Sequence, residues 1–417
     1  MNADDLRGPA LQVLSDNRRS GVGLAGQPVS FSWPSPATYP FQWFWDSCFH
    51  AIALAHLHPE WAIEELEALA ASQQPDGFIP HVTFHGGARM SYWAFVQGRG
   101  FRPRRSAMIQ PPVFGYAVCR VGELLDDDAL VERLLPAVDA YHDWLFRERD
   151  HDGDGLISII TPYESGMDHK PAYDAALGSR SGQARTLTPR LRRLDIDNKR
   201  RGFSLAENVR RGRFHAEDVI VNTFLGLSLE AAAEAHQRLG QAEAATKARD
   251  RAERLLGALL KKSWDPEAGL FWELYGAEEQ ALKTATISGL TPLALGLPRE
   301  VVERLVDTLT NPGRFWPAYP CPSVALDEPA FDAGSPYSVR SPLIWRGGTW
   351  VNTNWLLHLG LRRHGYHDIA DELCRRTQDL IRQSGFREFF NPFTGKGYGA
   401  SSFGWSTLVV DMAANSR

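Results

Sequence analysis

What most constrains this chain is a repeated pairing of helical stretches. Apolar residues recur at spacings of three and four, and the stretches that carry them come two by two with very short links. "DSCFHAIALAHLH" and "EWAIEELEALAASQQ" meet at His58 and Pro59, with the proline at or near the first helical position, where its missing N–H costs nothing. "PPVFGYAVCRVGELL" runs into "DDALVERLLPAVDAYHDWLFRERD", and "EDVIVNTFLGLSLEAAAEAHQRLG" into "QAEAATKARDRAERLLGALLKKSW". Further on come "REVVERLVDTLTN", "TNWLLHLGLRRHG", "HDIADELCRRTQDLIRQSG" and "GWSTLVVDMAAN". One helix of each pair is more apolar than its mate, and the pairs are separated by long connections rich in aromatics, Gly and Pro. Concentric rings of inner and outer helices produce that pattern, with short turns on one rim and functional loops on the other. Strand-like alternation is scarce and no fixed-length repeat is visible, so the expectation is an all-α toroid of about six helical hairpins rather than a solenoid.

A toroid also accommodates the length. A chain of 417 residues would ordinarily suggest two or three domains, but repeated hairpins around one centre can use all of it, so residues 1–417 are expected to form a single domain. The formal charge of −5 is mild and points to neither nucleic acid nor a membrane surface as partner. Cys48, Cys119, Cys321 and Cys374 lie far apart without a C-x-x-C pair, which suits a reducing compartment and argues against a zinc ribbon. With no signal-like N-terminus and no apolar run of about 18 residues, a cytoplasmic protein is expected. Residues 178–213 break the pattern: eleven Arg or Lys stand against three Asp or Glu, a local +8 that leaves −13 on the rest. This segment reads as a basic loop or lid inserted in the domain, able to grip an anionic substrate or simply to lie in solvent.

Rings supply the first hint of function. The chain has 13 Trp, 21 Phe and 11 Tyr, and many sit in non-helical segments beside polar residues: "YPFQWFWDS", "SYWAFVQG", "GRFWPAYPCP", "LIWRGGTWVNTNW". Aromatic faces next to hydrogen-bonding groups suit flat, hydroxylated ligands, although large helical proteins also plug loop-to-core gaps with Trp. Phosphate cradles and the G-x-S-x-G nucleophile elbow are missing. "DHDGDGLISIIT", residues 150–161, imitates a calcium loop, but Thr161 stands where the bidentate glutamate belongs, and no metal site is expected there. Carboxylates remain, and with rings they are the usual equipment for cleaving a glycosidic bond: one acid protonates the leaving oxygen while a second carboxylate activates water or attacks. Glu164 and Asp168 of "TPYESGMDHK" lie too close in one loop to face each other across a sugar. Glu388, among Phe386, Phe389 and Phe390, is a better partner, because an acid among rings is costly to bury without a purpose.

Four motifs taken in order, "FWDSCFHA", "YESGMD", "WRGGTWVNTNWLLHLGLRRHGY" and "FREFFNPFTG" with "FGWS", resemble glycoside hydrolase family 63, and most of all its bacterial mannosylglycerate and glucosylglycerate hydrolases. The resemblance runs from about Tyr39 to Trp405. It implies an (α/α)6 barrel that hydrolyses an α-glycosidic bond with inversion, without metal or organic cofactor, on a small-molecule glycoside. By motif, Asp168 would be the general acid and Glu388 the general base, held about 6.5–9.5 Å apart so that water fits between them. Tyr39, Trp43, Asp46, His81, Gln110, Gly166, Trp345 and Trp350 would form the sugar subsite. Tyr163 and Glu164 would flank it, and Arg346 would bind substrate or orient one of the carboxylates. Tyr163, Ile344 and Gly348 depart from the family's usual residues, and residues 178–213 contain no Tyr to meet a glycerate carboxylate, which leaves Arg201, Arg210 and Arg213 as candidates. The expected activity is release of α-linked glucose or mannose from a small anionic aglycone. A trehalase-like enzyme, an epimerase of the same barrel and a catalytically silent sugar-binding toroid are the alternatives.

Overall fold

The computed structural model describes residues 3–23, 25–85, 92–99, 104–179, 183–333 and 343–416. Along the chain its helices are α1 (Arg7–Asn17), α2 (Phe44–Ala55), α3 (Pro59–Ala70), α4 (Tyr92–Gln97), α5 (Phe114–Leu125), α6 (Asp128–Arg149) and α7 (Ala184–Arg200). They continue with α8 (Leu205–Arg210), α9 (Val219–Arg238), α10 (Ala242–Ala258), α11 (Arg299–Leu309), α12 (Val351–Arg363), α13 (His367–Ser384) and α14 (Val409–Asn415). Six pairings build the barrel: five hairpins, α2 with α3, α5 with α6, α9 with α10, a 3-10 helix Ile287–Ala294 with α11, and α12 with α13, and a sixth in which the run from Gly404 to α14 meets α1.

The first member of each pair also touches the next: α2 packs on α5, α5 on α9, α9 on Ile287–Ala294, that 3-10 helix on α12, α12 on the 3-10 turn Gly404–Leu408, and that turn back on α2. The ring is closed, and the fold is an (α/α)6 barrel. Burial explains the two rings. All twelve residues of α2 are buried, and so is every residue of α9 from Val219 to Leu229, because an inner helix is enclosed on all sides. In α13 burial is confined to one stripe, including Ala370, Leu373, Cys374, Thr377 and Ile381, and its charged face stays in water. Asp127 and Asp218 cap α6 and α9 by accepting from the N–H groups of Leu130 at 2.9 Å and Val221 at 3.1 Å. One contiguous apolar cluster runs from Leu6 to Ala413. Among the described residues no helix is long and apolar enough to cross a membrane.

Three features were not anticipated. The sixth pair borrows its outer helix from the N-terminus, α1, whose polar sequence "RGPALQVLSDN" gives little amphipathic signal. Short antiparallel ribbons decorate the barrel, including a four-stranded sheet in the order Gln280–Leu282, Glu273–Tyr275, Ala216–Glu217, Ser158–Ile159, and a hairpin pairing Arg387–Phe390 with Gly397–Ser401. The third is a correction: the basic segment 178–213 is not a loop, since most of it forms α7 and α8. Its charge count hid a helical stripe. Leu187, Leu191, Asp195 and Asn198 are buried on one face of α7, whereas Arg185, Arg190, Arg192, Arg193 and Arg200 are exposed.

Candidate active site

Connections that lead into five of the six inner helices, all but Ile287–Ala294, deliver residues to one central pocket. Tyr39, Trp43, Trp45 and Asp46 come from the entry to α2, Gln110 from the entry to α5, and Gly166 and Asp168 from the loop that runs toward α9. Ile344 and Trp345 precede α12, and Glu388, Phe403 and Trp405 precede α14, with Pro34 completing the lining. The acid-bearing loop is shaped by Gly166, which ends the 3-10 turn Pro162–Ser165 at φ +70°; a side chain there would also strike the Trp45 ring at 2.5 Å. A left-handed residue and a close approach both demand glycine, and Asp168 follows two positions later.

The two principal acids occupy different environments. Asp168 is half-buried, and burial first, then the charge of Glu388, pushes its carboxyl up to about 8, so it keeps a proton at neutral pH. Glu388 is 2% exposed and its carboxyl is also raised by burial, but two donors oppose that rise. The Tyr39 hydroxyl donates to its Oε1 at 2.8 Å and the Ala400 N–H to its Oε2 at 2.8 Å, stabilising the ionised form. Gly399, at φ +66°, leaves room for that carboxylate, since a Cβ there would collide with Oε2. Pairs of carboxyls whose surroundings separate their protonation states are how one site holds an acid and a base together.

A third acid serves differently. Asp46 lies in the first turn of α2, is 2% exposed, and has an Oδ1 with no hydrogen-bond partner among the described residues. Burial, and then the charges of Glu388 and Glu65, raise its carboxyl well above the usual range. A buried acceptor open to the pocket is unsatisfied until a donor such as a sugar hydroxyl arrives. Gln110 holds the neighbouring wall by accepting from the Trp45 N–H at 3.1 Å. Trp345 adopts φ +63°, uncommon for a bulky residue, and lies flat on Trp350 with centroids 3.6 Å apart and planes 5° apart. Trp350 in turn stacks on Phe389 at 4.8 Å.

Several expected pocket residues therefore stand one layer back. Trp350 supports Trp345 rather than lining the pocket. His81 is 1% exposed, sits 2.5 Å from the Ser106 hydroxyl through Nδ1 and meets Trp43 edge-on at 5.5 Å; burial lowers it to about 3, so it is neutral. Glu164 is fully buried: Arg149 grips it with two bonds of 2.7 Å, and it also accepts from the N–H groups of Ile109 at 2.9 Å and Ile160 at 2.8 Å. It bolts the acid loop to the Gln110 segment. Tyr163 packs on the small apolar cluster that includes Met108, Phe203 and Leu205, outside the lining. Arg346 was expected to bind substrate or orient a catalytic carboxylate; instead its guanidinium is committed to Asp174 by two bonds of 2.6 Å, clamping the loop six residues past Asp168. None of Arg201, Arg210 and Arg213 lines the pocket. Arg201 donates to Asn208 at 2.8 Å, Arg210 pairs with Glu207 on the surface, and Arg213 is exposed. Trp45, Phe403 and Trp405 are the pocket rings that sequence reasoning passed over; Trp45 lay two residues from Trp43 in a motif already in hand.

A second set of charges fixes the loop from below. Lys170, buried and two residues past Asp168, places its ammonium 2.6 Å from Asp218, 2.6 Å from Glu273 and 3.2 Å from the Ser288 hydroxyl, while the Tyr173 hydroxyl donates to Asp218 at 2.6 Å.

An (α/α)6 barrel with two carboxyls in contrasting surroundings and an aromatic wall at the entries to its inner helices is the arrangement of a glycoside hydrolase. Comparison with known proteins narrows the class: residues 39–406 match the family described as the mannosylglycerate hydrolase MGH1-like glycoside hydrolase domain, and the chain belongs to that family, within glycoside hydrolase family 63. It is 32% identical to the mannosylglycerate hydrolase of Thermus thermophilus over 96% of this chain and 98% of that one. Identity is 27% with the glucosylglycerate hydrolase of Mycolicibacterium hassiacum, over 90% and 92% of the two chains. The crystal structure of a family 63 mannosylglycerate hydrolase from Thermus thermophilus in complex with Tris and D-glycerate superposes with a TM-score of 0.85 at 28% identity, covering 98% of this chain and 99% of that one.

Proposed function

We propose that the enzyme releases α-linked glucose or mannose from a small anionic aglycone of the glycerate type, with inversion at the anomeric carbon. The observation that carries this reading is the pair itself: Asp168, whose carboxyl is pushed up to about 8, and Glu388, whose rise on burial is opposed by Tyr39 and Ala400, line the same pocket. Asp168 gives its proton to the glycosidic oxygen as the bond to the anomeric carbon breaks. Glu388 takes a proton from a water that attacks the opposite face of the sugar, so the configuration inverts. Asp168 ends the cycle as a carboxylate and Glu388 as an acid, and exchange with solvent restores both. Asp46 accepts hydroxyls of the cleaved sugar against the wall of Trp43 and Trp345. The relatives named as mannosylglycerate and glucosylglycerate hydrolases support the glycerate type of substrate.

The test is turnover of mannosylglycerate and of glucosylglycerate as a function of pH. At least one is expected to be hydrolysed, with activity falling as pH rises through about 8, where Asp168 loses the proton it must donate. On the acid side, activity falls as Glu388 takes up a proton. Removing the Tyr39 hydroxyl removes a donor that favours the anion, so Tyr39→Phe should move the acid limb to higher pH and leave the alkaline limb in place. Absence of turnover on both glycosides would overturn the substrate, and an acid limb unmoved in Tyr39→Phe would overturn the role of Glu388.

A further inference from the structure

One motif of the sequence stands apart from the pocket. The run "DHDGDG", residues 150–155, has the alternating acids and sixth-position glycine of a calcium loop, with Thr161 in place of the twelfth-position glutamate. The fold brings the missing carboxylate from elsewhere. Strand Ser158–Ile159, which leaves the loop, pairs antiparallel with Ala216–Glu217, and Ser158 stands opposite Glu217. Glu279 arrives in the turn between the next two strands of the same sheet. Asp152, Asp154, Glu217 and Glu279 thus come together, each with a carboxylate oxygen, and these atoms all lie within 4.8 Å of one another. That span is about twice a calcium–oxygen distance of about 2.4 Å, so small side-chain shifts bring all four within reach of a single ion.

Charge in this cluster is not balanced. Four carboxyl groups meet one ammonium, that of Lys262, which lies 2.6 Å from Asp154, 2.5 Å from Glu279 and 3.8 Å from Asp152, and the His151 ring lies 4.0 Å from Asp152 at the edge of the cluster. Glu217 is left out of that arrangement: it is 4% exposed and neither of its oxygens has a hydrogen-bond partner among the described residues. A carboxyl so placed holds a proton or receives a cation.

We propose that Asp152, Asp154, Glu217 and Glu279 form a binding site for a hard divalent cation of the calcium type, with Lys262 as the resident ammonium that the metal displaces. All four ligands are carboxylates on turns and a short strand, and such adaptable oxygen donors suit calcium. Magnesium demands a tighter octahedron and dehydrates reluctantly, and it suits them less. The Lys262 side chain is 22% exposed at the end of a helical turn, so it can swing into solvent. Occupation would tie the loop that precedes the acid-bearing segment to the strands behind it, so stability, rather than the chemical step, should respond.

The full-length protein, stripped with chelator and exchanged into chelator-free buffer, should bind about one equivalent of calcium in isothermal titration and unfold at higher temperature as calcium is added, with magnesium weaker. Glu217→Gln should weaken calcium binding at least about tenfold. Lys262→Met supplies an independent variant: it removes the competing ammonium, keeps every carboxylate, and should bind calcium more tightly than wild type. Absence of heat and of any shift in Tm with calcium up to about 1 mM, the range of weak protein sites, would overturn the proposal. So would a response undiminished in Glu217→Gln, or weaker binding in Lys262→Met.

Discussion

Asp168→Asn should lower kcat on a glycerate glycoside by about a thousandfold while leaving KM within a fewfold of wild type, since general acid catalysis is worth about 10²–10⁴. The amide fills the same space but has no proton acidic enough to give to the departing oxygen. Glu388→Gln should cost a similar factor for a different reason: it keeps a hydrogen-bonding group beside Tyr39 and Ala400 but cannot take the proton from water. An activated aryl glycoside separates the two. Its leaving group needs little protonation, so it should recover much of the loss in Asp168→Asn and almost none in Glu388→Gln. Equal recovery in both, or activity near wild type in either, would contradict the division of roles.

Lys170→Met should destabilise the protein by about 3–5 kcal/mol, read as a lower urea midpoint. The substitution leaves Asp218 and Glu273, both nearly inaccessible to solvent, facing each other without the cation that holds them. Removing one partner of a buried ion cluster costs more than the cluster contributes, because the remaining charges are trapped in a poor solvent. Surface pairs give the contrast. Arg210→Met touches only an exposed contact to Glu207 and should move the midpoint by less than about 1 kcal/mol. A Lys170 variant as stable as the Arg210 variant would show that the anchor beneath the acid loop does not matter to the fold.

The barrel was legible because inner and outer helices obey different burial rules, and the rules leave a mark on sequence. A helix enclosed on all sides, such as α9, is apolar almost throughout its first half, while α13 shows a stripe, and alternation of the two kinds implies rings. The basic segment was misjudged because its eleven cations dominate the composition, and because two of the four residues on its buried helix face, Asp195 and Asn198, are polar and give no apolar period. In the pocket, residues carried by a motif could be placed: Asp168, Asp46 and Glu388 by the family resemblance, and Glu388 also as an acid among rings. Depth could not. Whether a tryptophan lines a pocket or backs another ring depends on the turn that presents it, so Trp345 and Trp350, five residues apart, exchanged little sequence information about which faces the ligand. Partner choice was equally hidden: Arg346 answers to Asp174, 172 positions away, and Glu164 to Arg149 at the end of α6, and neither pairing is marked by local spacing.

The central claim is inversion by Asp168 and Glu388, and the anomer released in the first seconds of turnover tests it most directly. Wild-type enzyme should be mixed with mannosylglycerate or glucosylglycerate and followed by proton NMR before mutarotation. The expected spectrum shows the β-anomer of the free sugar appearing first and the α-anomer growing only at the rate of spontaneous mutarotation. Initial release of the α-anomer would mean a covalent, retaining path, and the assignment of Glu388 as a base acting through water would fall.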